Sequence, residues 1–290
     1  GYVSLYEDGM QISIGSVTSG ACKSFATEAL EDDLLLMTPS ASAADVIAVG
    51  DHAFRVCFGD PQQGSIAADM LSEQYQKIGV IYDTSETYSS GIYSAFEEEM
   101  TKLGKTSGTD YIVYTFDKDS NKNFSTQVGA LMQNECDVIF LPIYYTEAGL
   151  IVKEAARNSY NVPVFGCDGL DGIAGQLDDT VTASIQYITP FDINSTDETV
   201  SAFVEAYRAA YNTDPDQFAA DGYDAVMILY NAMKVAGLDD PTASAQTVSD
   251  AVREVLLSDD FSYSGVTGKN MTWTEDGSCN KEANIVTLDH

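Results

Sequence analysis

The residues of this chain that could carry chemistry are few, and most do not combine into a catalytic set. Only two histidines occur, His52 in the polar loop Gly50-Asp51-His52 and His290 at the end. There is no GxSxG elbow, HExxH pair, P-loop or GxGxxG, and a Ser-His-Asp site would have to be built on His52. The five cysteines, Cys22, Cys57, Cys136, Cys167 and Cys279, show no CxxC pair and no metal-like spacing. Their neighbours are apolar, as in Cys136-Asp137-Val138-Ile139-Phe140, so they read as small buried hydrophobes. Among 45 acidic residues nothing selects a catalytic carboxylate pair. No enzymatic activity, cofactor or metal is expected.

A different pattern emerges from the small polar residues that follow each apolar run. They are Thr18-Ser19-Gly20, Ser40-Ala41-Ser42, Tyr88, Tyr144-Tyr145 and Asp168-Gly169. The first two groups place hydroxyls just before helices, where free backbone amides favour an anion such as a carboxylate. A carboxylate at Asp168 suits an ammonium group, and the two phenols supply apolar wall and hydrogen bond together. Each position alone also has a plain explanation: Ser40 and Ser42 as turn and capping residues, Tyr88 as packing, Asp168-Gly169 as a turn. As a set, they suit a ligand negative at one end and positive at the other, which is an α-amino acid.

The elements that must position these residues alternate. The apolar runs are Gln11–Ile14, Leu34–Met37, Ile78–Tyr82, Tyr111–Tyr114, Val138–Leu141, Val162–Phe165 and Val181–Ile185. Between them lie helical faces with spacings of three and four, such as Ile92, Phe96, Met100 and Leu103, or Ala148, Ile151, Val152 and Ala155. Continuous apolar strands separated by amphipathic helices predict α/β architecture with doubly wound, mostly parallel sheets. Ligands then bind beyond the carboxyl ends of the strands, where the polar groups above fall. The first residues read as the end of a helix running into a strand. A further helix is predicted near Ala43. After residue 190 the pattern turns helical, beginning with a capping box at Ser195-Thr196-Asp197-Glu198. The end reads as a hairpin of Met271–Trp273 with Ala283–Leu288 around Asp276-Gly277.

Composition narrows the classes further. The formal net charge is −31, which repels phosphate backbones and speaks against nucleic acid as a partner. It suits a protein kept soluble in salty or extracellular surroundings. No apolar run approaches the ~18–20 residues of a spanning helix, and no export signal is visible at the start.

The sequence resembles the type I solute-binding proteins of ABC importers, most closely the branched-chain amino-acid (Leu/Ile/Val) binding family. The resemblance is carried by Ile14–Cys22, Thr38–Ser42, Phe54-Arg55-Val56, Asp60–Gly64, Val80–Asp83, Tyr88–Gly91, Asn123–Ser125, Tyr144–Gly149, Phe165–Gly169 and Phe218–Ala225, in family order from about Gln11 to Leu288. It implies two lobes, 1–57 with 190–262 and 58–189 with 263–290, joined near Phe54–Phe58, Tyr187–Phe191 and Phe261–Val266. It implies that the Ser19 and Ser42 hydroxyls hold a ligand carboxylate at the Ser40-Ala41-Ser42 loop. The Ser40 carbonyl and Asp168 would hold its ammonium, with Tyr88 and Tyr144 closing from the second lobe. The implied function is capture of an amino acid by hinge closure and delivery to a membrane permease, outside the cytoplasm, in the periplasm or lipid-anchored at the cell surface. A ligand-sensing module on the same scaffold, for an amide or amino acid, is the alternative. Against the family pattern, roughly two βα units of the first lobe are expected to be absent, which would remove part of the side-chain pocket and leave a sheet edge uncovered.

Overall fold

Short apolar strands followed by one-sided helices begin at once in this chain. The structure, a computed structural model, describes residues 1–288, so His290 lies outside the described residues. Helix α1 (Tyr2–Glu7) leads into β1 (Ser13–Ile14), α2 (Ser19–Glu31), β2 (Leu36–Thr38) and β3 (Ala53–Arg55). These strands form a three-stranded parallel sheet in the order β1-β2-β3, with Ser13 opposite Leu36 and Leu36 opposite Ala53. All of β2 and β3 is buried, and β2 accordingly continues the apolar run Leu34–Met37 without alternation. The helix predicted near Ala43 is a single 3-10 turn at Ala44–Val46.

The second block runs α3 (Asp60–Gln74), β4 (Ile78–Asp83), α4 (Thr87–Lys102), β5 (Tyr111–Phe116), α5 (Ser125–Gln133), β6 (Val138–Leu141), α6 (Tyr145–Arg157), β7 (Val164–Gly166) and β8 (Ile185–Thr189). The strands pair in the order β5-β4-β6-β7-β8, all parallel. The last strand falls later than the apolar run Val181–Ile185 suggests. A turn closed by Val181 N–H on the Asp178 carbonyl holds Val181 buried but outside the ladder.

Helices α7 (Glu198–Tyr211), α8 (Gln217–Val235) and α9 (Ala245–Leu256) follow. The cap of α7 is Asp197, whose carboxylate accepts Thr199 and Val200 N–H, and not Ser195. Asp is as good an acceptor as Ser at this position and stands one residue before the helix proper. The final strand β9 (Asn284–Thr287) runs antiparallel to β8. The predicted terminal hairpin is therefore absent: Trp273 bridges Cys279 across the turn at Asp276-Gly277, while β9 pairs elsewhere.

The chain divides into two compact units, Gly1–Gly59 with Pro190–Glu282, and Asp60–Thr189 with the segment from Ala283 onward. The third passage between them thus falls at Glu282–Ala283 and not near Phe261–Val266. Residues 263–282, expected with the second lobe, belong to the first unit because their apolar side chains fill its core. Met271 and Trp273 are buried there beside Phe54, Val56 and Phe261, and Trp273 Nε1 donates to the Arg55 carbonyl at 2.9 Å. In the second unit one apolar cluster gathers Ile139, Leu141, Val152 and Ile185, and Phe140 packs against Phe96 and Phe165.

Candidate functional site

Two clusters of polar side chains occupy the carboxyl ends of the strands, one in each unit. In the first unit the segments leaving β1 and β2 are tied together by Thr38. Its hydroxyl donates to the Ser16 carbonyl at 2.8 Å and accepts the Ala41 N–H at 3.0 Å. Ser19 Oγ accepts the Ala43 N–H at 3.2 Å, which brings the start of α2 against the Ser40–Ser42 loop. Arg55, buried at the end of β3, donates through Nη1 to the Ser42 carbonyl and through Nη2 to the Ala43 carbonyl at 3.2 Å. The Ser40 hydroxyl donates to Asp221 Oδ2 on α8 at 3.0 Å.

What this scaffold leaves open matters more than what it fills. Ser42 Oγ is fully buried and has no hydrogen-bond partner among the described residues. The Ser40 carbonyl receives no donor among them either. Thr18 precedes α2 without capping it through its side chain, so the amides of Ser19, Gly20 and Ala21 keep no intrahelical acceptor. Buried polar groups are ordinarily satisfied, and leaving one unmade costs about 1–3 kcal/mol. Open N–H and O–H donors beside one open carbonyl match the two ends of an amino acid's backbone.

In the second unit Tyr88 sits in the first turn of α4 and is buried. Its hydroxyl donates to Asp168 Oδ1 at 2.7 Å and accepts the Gly169 N–H at 2.8 Å. Asp168 opens a 3-10 turn directly after β7, and its own N–H donates to Gln63 Oε1 at 2.9 Å. Burial first, and the Asp168 charge second, push the Tyr88 phenol far above its ordinary value, so it remains a donor. A Cβ at Gly169 would lie 2.7 Å from the Tyr88 hydroxyl and 2.9 Å from the Ile143 carbonyl, so only glycine permits this approach. Tyr144, the residue before α6, stacks on Tyr88 with ring centres 4.7 Å apart.

The structure thus brings Ser19, Ser40, Ala41 and Ser42 together in one unit, and Tyr88, Tyr144 and Asp168 in the other. His52 stands apart: it precedes β3, at the opposite end of that sheet, and pairs with Asp250 at 3.0 Å. Thr38, Arg55, Asp221 and Gln63 were missed as supporting residues. A signal existed for two of them. Arg55 interrupts the apolar run Phe54-Arg55-Val56, and Asp221 lies three residues before Asp224 on the face of α8 that also carries Ala225 and Ile228. Among the described residues no cluster of His, Cys, Asp and Glu could hold a metal ion.

Two mostly parallel α/β units, each with polar groups gathered at its strand ends, have the architecture of α/β ligand-binding proteins. The chain belongs to the periplasmic binding protein family, whose model matches residues 1–290. It is 27% identical over 250 residues to the Leu/Ile/Val-binding protein BraC3 of Rhizobium johnstonii, covering 84% of this chain and 66% of that protein. It is 26% identical over 251 residues to the leucine-, isoleucine-, valine-, threonine- and alanine-binding protein of Pseudomonas aeruginosa, covering 83% of this chain and 64% of that one. The chain therefore spans about two thirds of the length of these relatives. Its fold matches the branched-chain amino acid transporter substrate binding protein LivJ of Streptococcus pneumoniae, solved in complex with isoleucine. That match has a TM-score of 0.85 and 26% identity, and covers 99% of this chain and 79% of the other.

Proposed function

We propose that this chain is a substrate-binding component of an importer, taking up a small aliphatic α-amino acid outside the cytoplasm and delivering it to a membrane permease. In this reading the carboxylate lies against the amides of Ser19 to Ala21 and the hydroxyls of Ser19 and Ser42. The ammonium is held by the Ser40 carbonyl and by Asp168, and Tyr88 and Tyr144 supply the closing aromatic wall. No bond in the ligand is made or broken; capture and release are the whole cycle.

The observation that carries this reading is the set of open groups in the first unit: a buried Ser42 hydroxyl, an open Ser40 carbonyl and an uncapped start of α2. They are mutually held in place, so little ordering remains to be done when a ligand arrives. Relatives that bind leucine, isoleucine and valine, and the isoleucine complex of a protein with the same fold, support an aliphatic side chain. Among the described residues no helix is long and apolar enough to cross a membrane.

Titration calorimetry with each of the twenty amino acids tests this. Saturable binding of leucine, isoleucine or valine, with the ligand recovered unchanged, is the expected result. Chemical conversion of a ligand, or no binding of any amino acid, would overturn it. At 100 times the dissociation constant the ligand should stabilise the fold by about 2.7 kcal/mol.

A further inference from the structure

Behind the Ser40 loop lies a buried ion pair that ligand contact alone does not require. Asp221 on α8 and Lys281, just before the passage out of the first unit, have side chains 1% and 0% exposed, with Nζ 3.3 Å from Oδ1. Lys281 Nζ also donates to Thr267 Oγ1 at 2.6 Å, and the Thr267 hydroxyl donates to Asp224 Oδ2 at 2.6 Å. Asp224 is satisfied in turn by the N–H groups of Val266 and Thr267. The second oxygen of Asp221 takes the hydroxyl of Ser40.

Removing two charges from water is costly, and an apolar pair of similar volume often serves stability as well or better. Beside the pair, the buried face of α8 carries the apolar Ala220, Ala225 and Ile228 together with Gln217 and Asp224. Burial pushes the Asp221 carboxyl up to about 6, against the opposing pull of Lys281. A charged pair held in such a place calls for a role other than packing, and through the Ser40 hydroxyl it reaches the candidate site. The neighbouring peptides are fixed independently: Thr38 holds the Ala41 N–H, and Arg55 holds the Ser42 carbonyl. Ser40 is left to be oriented through its side chain, and its carbonyl is the group that faces no donor among the described residues.

We propose that Asp221, neutralised by Lys281, is a positioning residue for the ammonium end of the ligand, anchoring the Ser40 hydroxyl so that the Ser40 carbonyl stays available to it. The proposal rests on the amino-acid reading above. Neither Asp221 nor Lys281 touches the ligand. Their effect is on geometry, and it should be selective for the half of the ligand that the Ser40 carbonyl recognises.

The test compares L-leucine with 4-methylpentanoate, which has the same carbon skeleton and carboxylate but no ammonium, the latter by competition. The proteins are wild type, the Asp221→Leu/Lys281→Met double variant, Ser40→Ala, and the triple combination. The apolar double variant should fold, lose about tenfold in leucine affinity and leave 4-methylpentanoate unchanged; a general structural loss would weaken both ligands alike. Ser40→Ala should do the same alone and add nothing to the double variant, because both cut one linkage. If wild type binds leucine and the variants keep its ratio of affinities for the two ligands, the positioning role is overturned and the receptor reading stands. If wild type binds no amino acid, both fall. Should the double variant not fold, Ser40→Ala decides by itself: a tenfold selective loss supports the role, and an unchanged ratio ends it.

Discussion

The two clusters at the strand ends are built from different materials. In the first unit the groups left open are mostly backbone: the amides at the start of α2 and the Ser40 carbonyl, with the Ser42 hydroxyl beside them. Everything else there, from Thr38 to Arg55, is spent holding those groups still. In the second unit the working groups are side chains, and they are already engaged with each other: Tyr88 with Asp168, Tyr144 against Tyr88. Main-chain groups recognise what every α-amino acid shares, and mutation reaches them only indirectly. Side-chain groups supply charge and aromatic wall, and single substitutions remove them outright. The second unit should therefore be the more sensitive to point mutation, although in the proposed site the first would supply more of the contacts.

The largest expected effect follows from this asymmetry. Asp168→Asn keeps the shape and one acceptor for the Tyr88 hydroxyl but removes the charge partner proposed for the ammonium. Leucine affinity measured by calorimetry should fall by about 100-fold, or about 3 kcal/mol, within the range found when one member of a buried charge pair is truncated. A loss smaller than threefold would show that the ammonium is read by the first unit alone. Next in size is Tyr88→Phe, which removes the hydroxyl's bonds to the Gly169 N–H and to Asp168 Oδ1 while keeping the ring that stacks on Tyr144. An approximately tenfold loss is expected, since two buried hydrogen bonds lose a partner and Asp168 loses its orientation. An unchanged affinity would mean that Asp168 is held in place without the Tyr88 hydroxyl, for example through its N–H on Gln63.

Much of this was legible in the sequence, and the part that was not has a common cause. The second unit could be read strand by strand, because each buried parallel strand is a continuous apolar run and each helix shows one face. The polar residues of both clusters could be found because strand exits are where such folds bind. Segment 263–282 was misplaced because its attachment depends on single long-range contacts, Trp273 with the Arg55 carbonyl and Lys281 with Asp221. No local spacing encodes partners that lie 218 and 60 residues away. The supporting residues were missed for the same reason. Thr38 and Ser40 look alike as turn residues, and only the fold shows that one bridges two loops while the other reaches α8. A charged residue inside an apolar face, as with Arg55 or Asp221, is the sequence signal to follow, since burial of a charge demands a partner.

A smaller effect probes the first unit directly. Ser42→Ala removes a buried hydroxyl that forms no hydrogen bond among the described residues, so stability should be unchanged or slightly raised. Leucine affinity should fall about fivefold, roughly 1 kcal/mol for one lost hydrogen bond. Few substitutions would separate binding from folding so cleanly, because the group has nothing to do in the free protein. A thermal shift showing lost stability in the absence of ligand would reveal a structural partner and weaken the assignment of Ser42 to the carboxylate.

The smallest expected effect concerns pH, and it sharpens the contrast between a fixed donor and a titrating one. The Tyr88 phenol is pushed up by burial and by Asp168, and the neighbouring Cys167 thiol is pushed up by burial and the same charge. For acids, a raised value means that the proton is held more tightly in the folded protein, so both groups stay neutral where an ordinary thiol would begin to ionise near pH 8.5. Between pH 6.5 and about 9, neither should alter binding. Leucine affinity over that range, corrected for titration of the ligand's own amino group, should be level. Deprotonation of Tyr88 would turn its bond to Asp168 into repulsion between two anions, so an additional loss of affinity on the way to pH 9 would mean that the phenol is more solvated than its burial implies. A level profile, together with a large effect of Asp168→Asn, would place the electrostatic contribution of the second unit on the carboxylate and leave the phenol the task of aiming it.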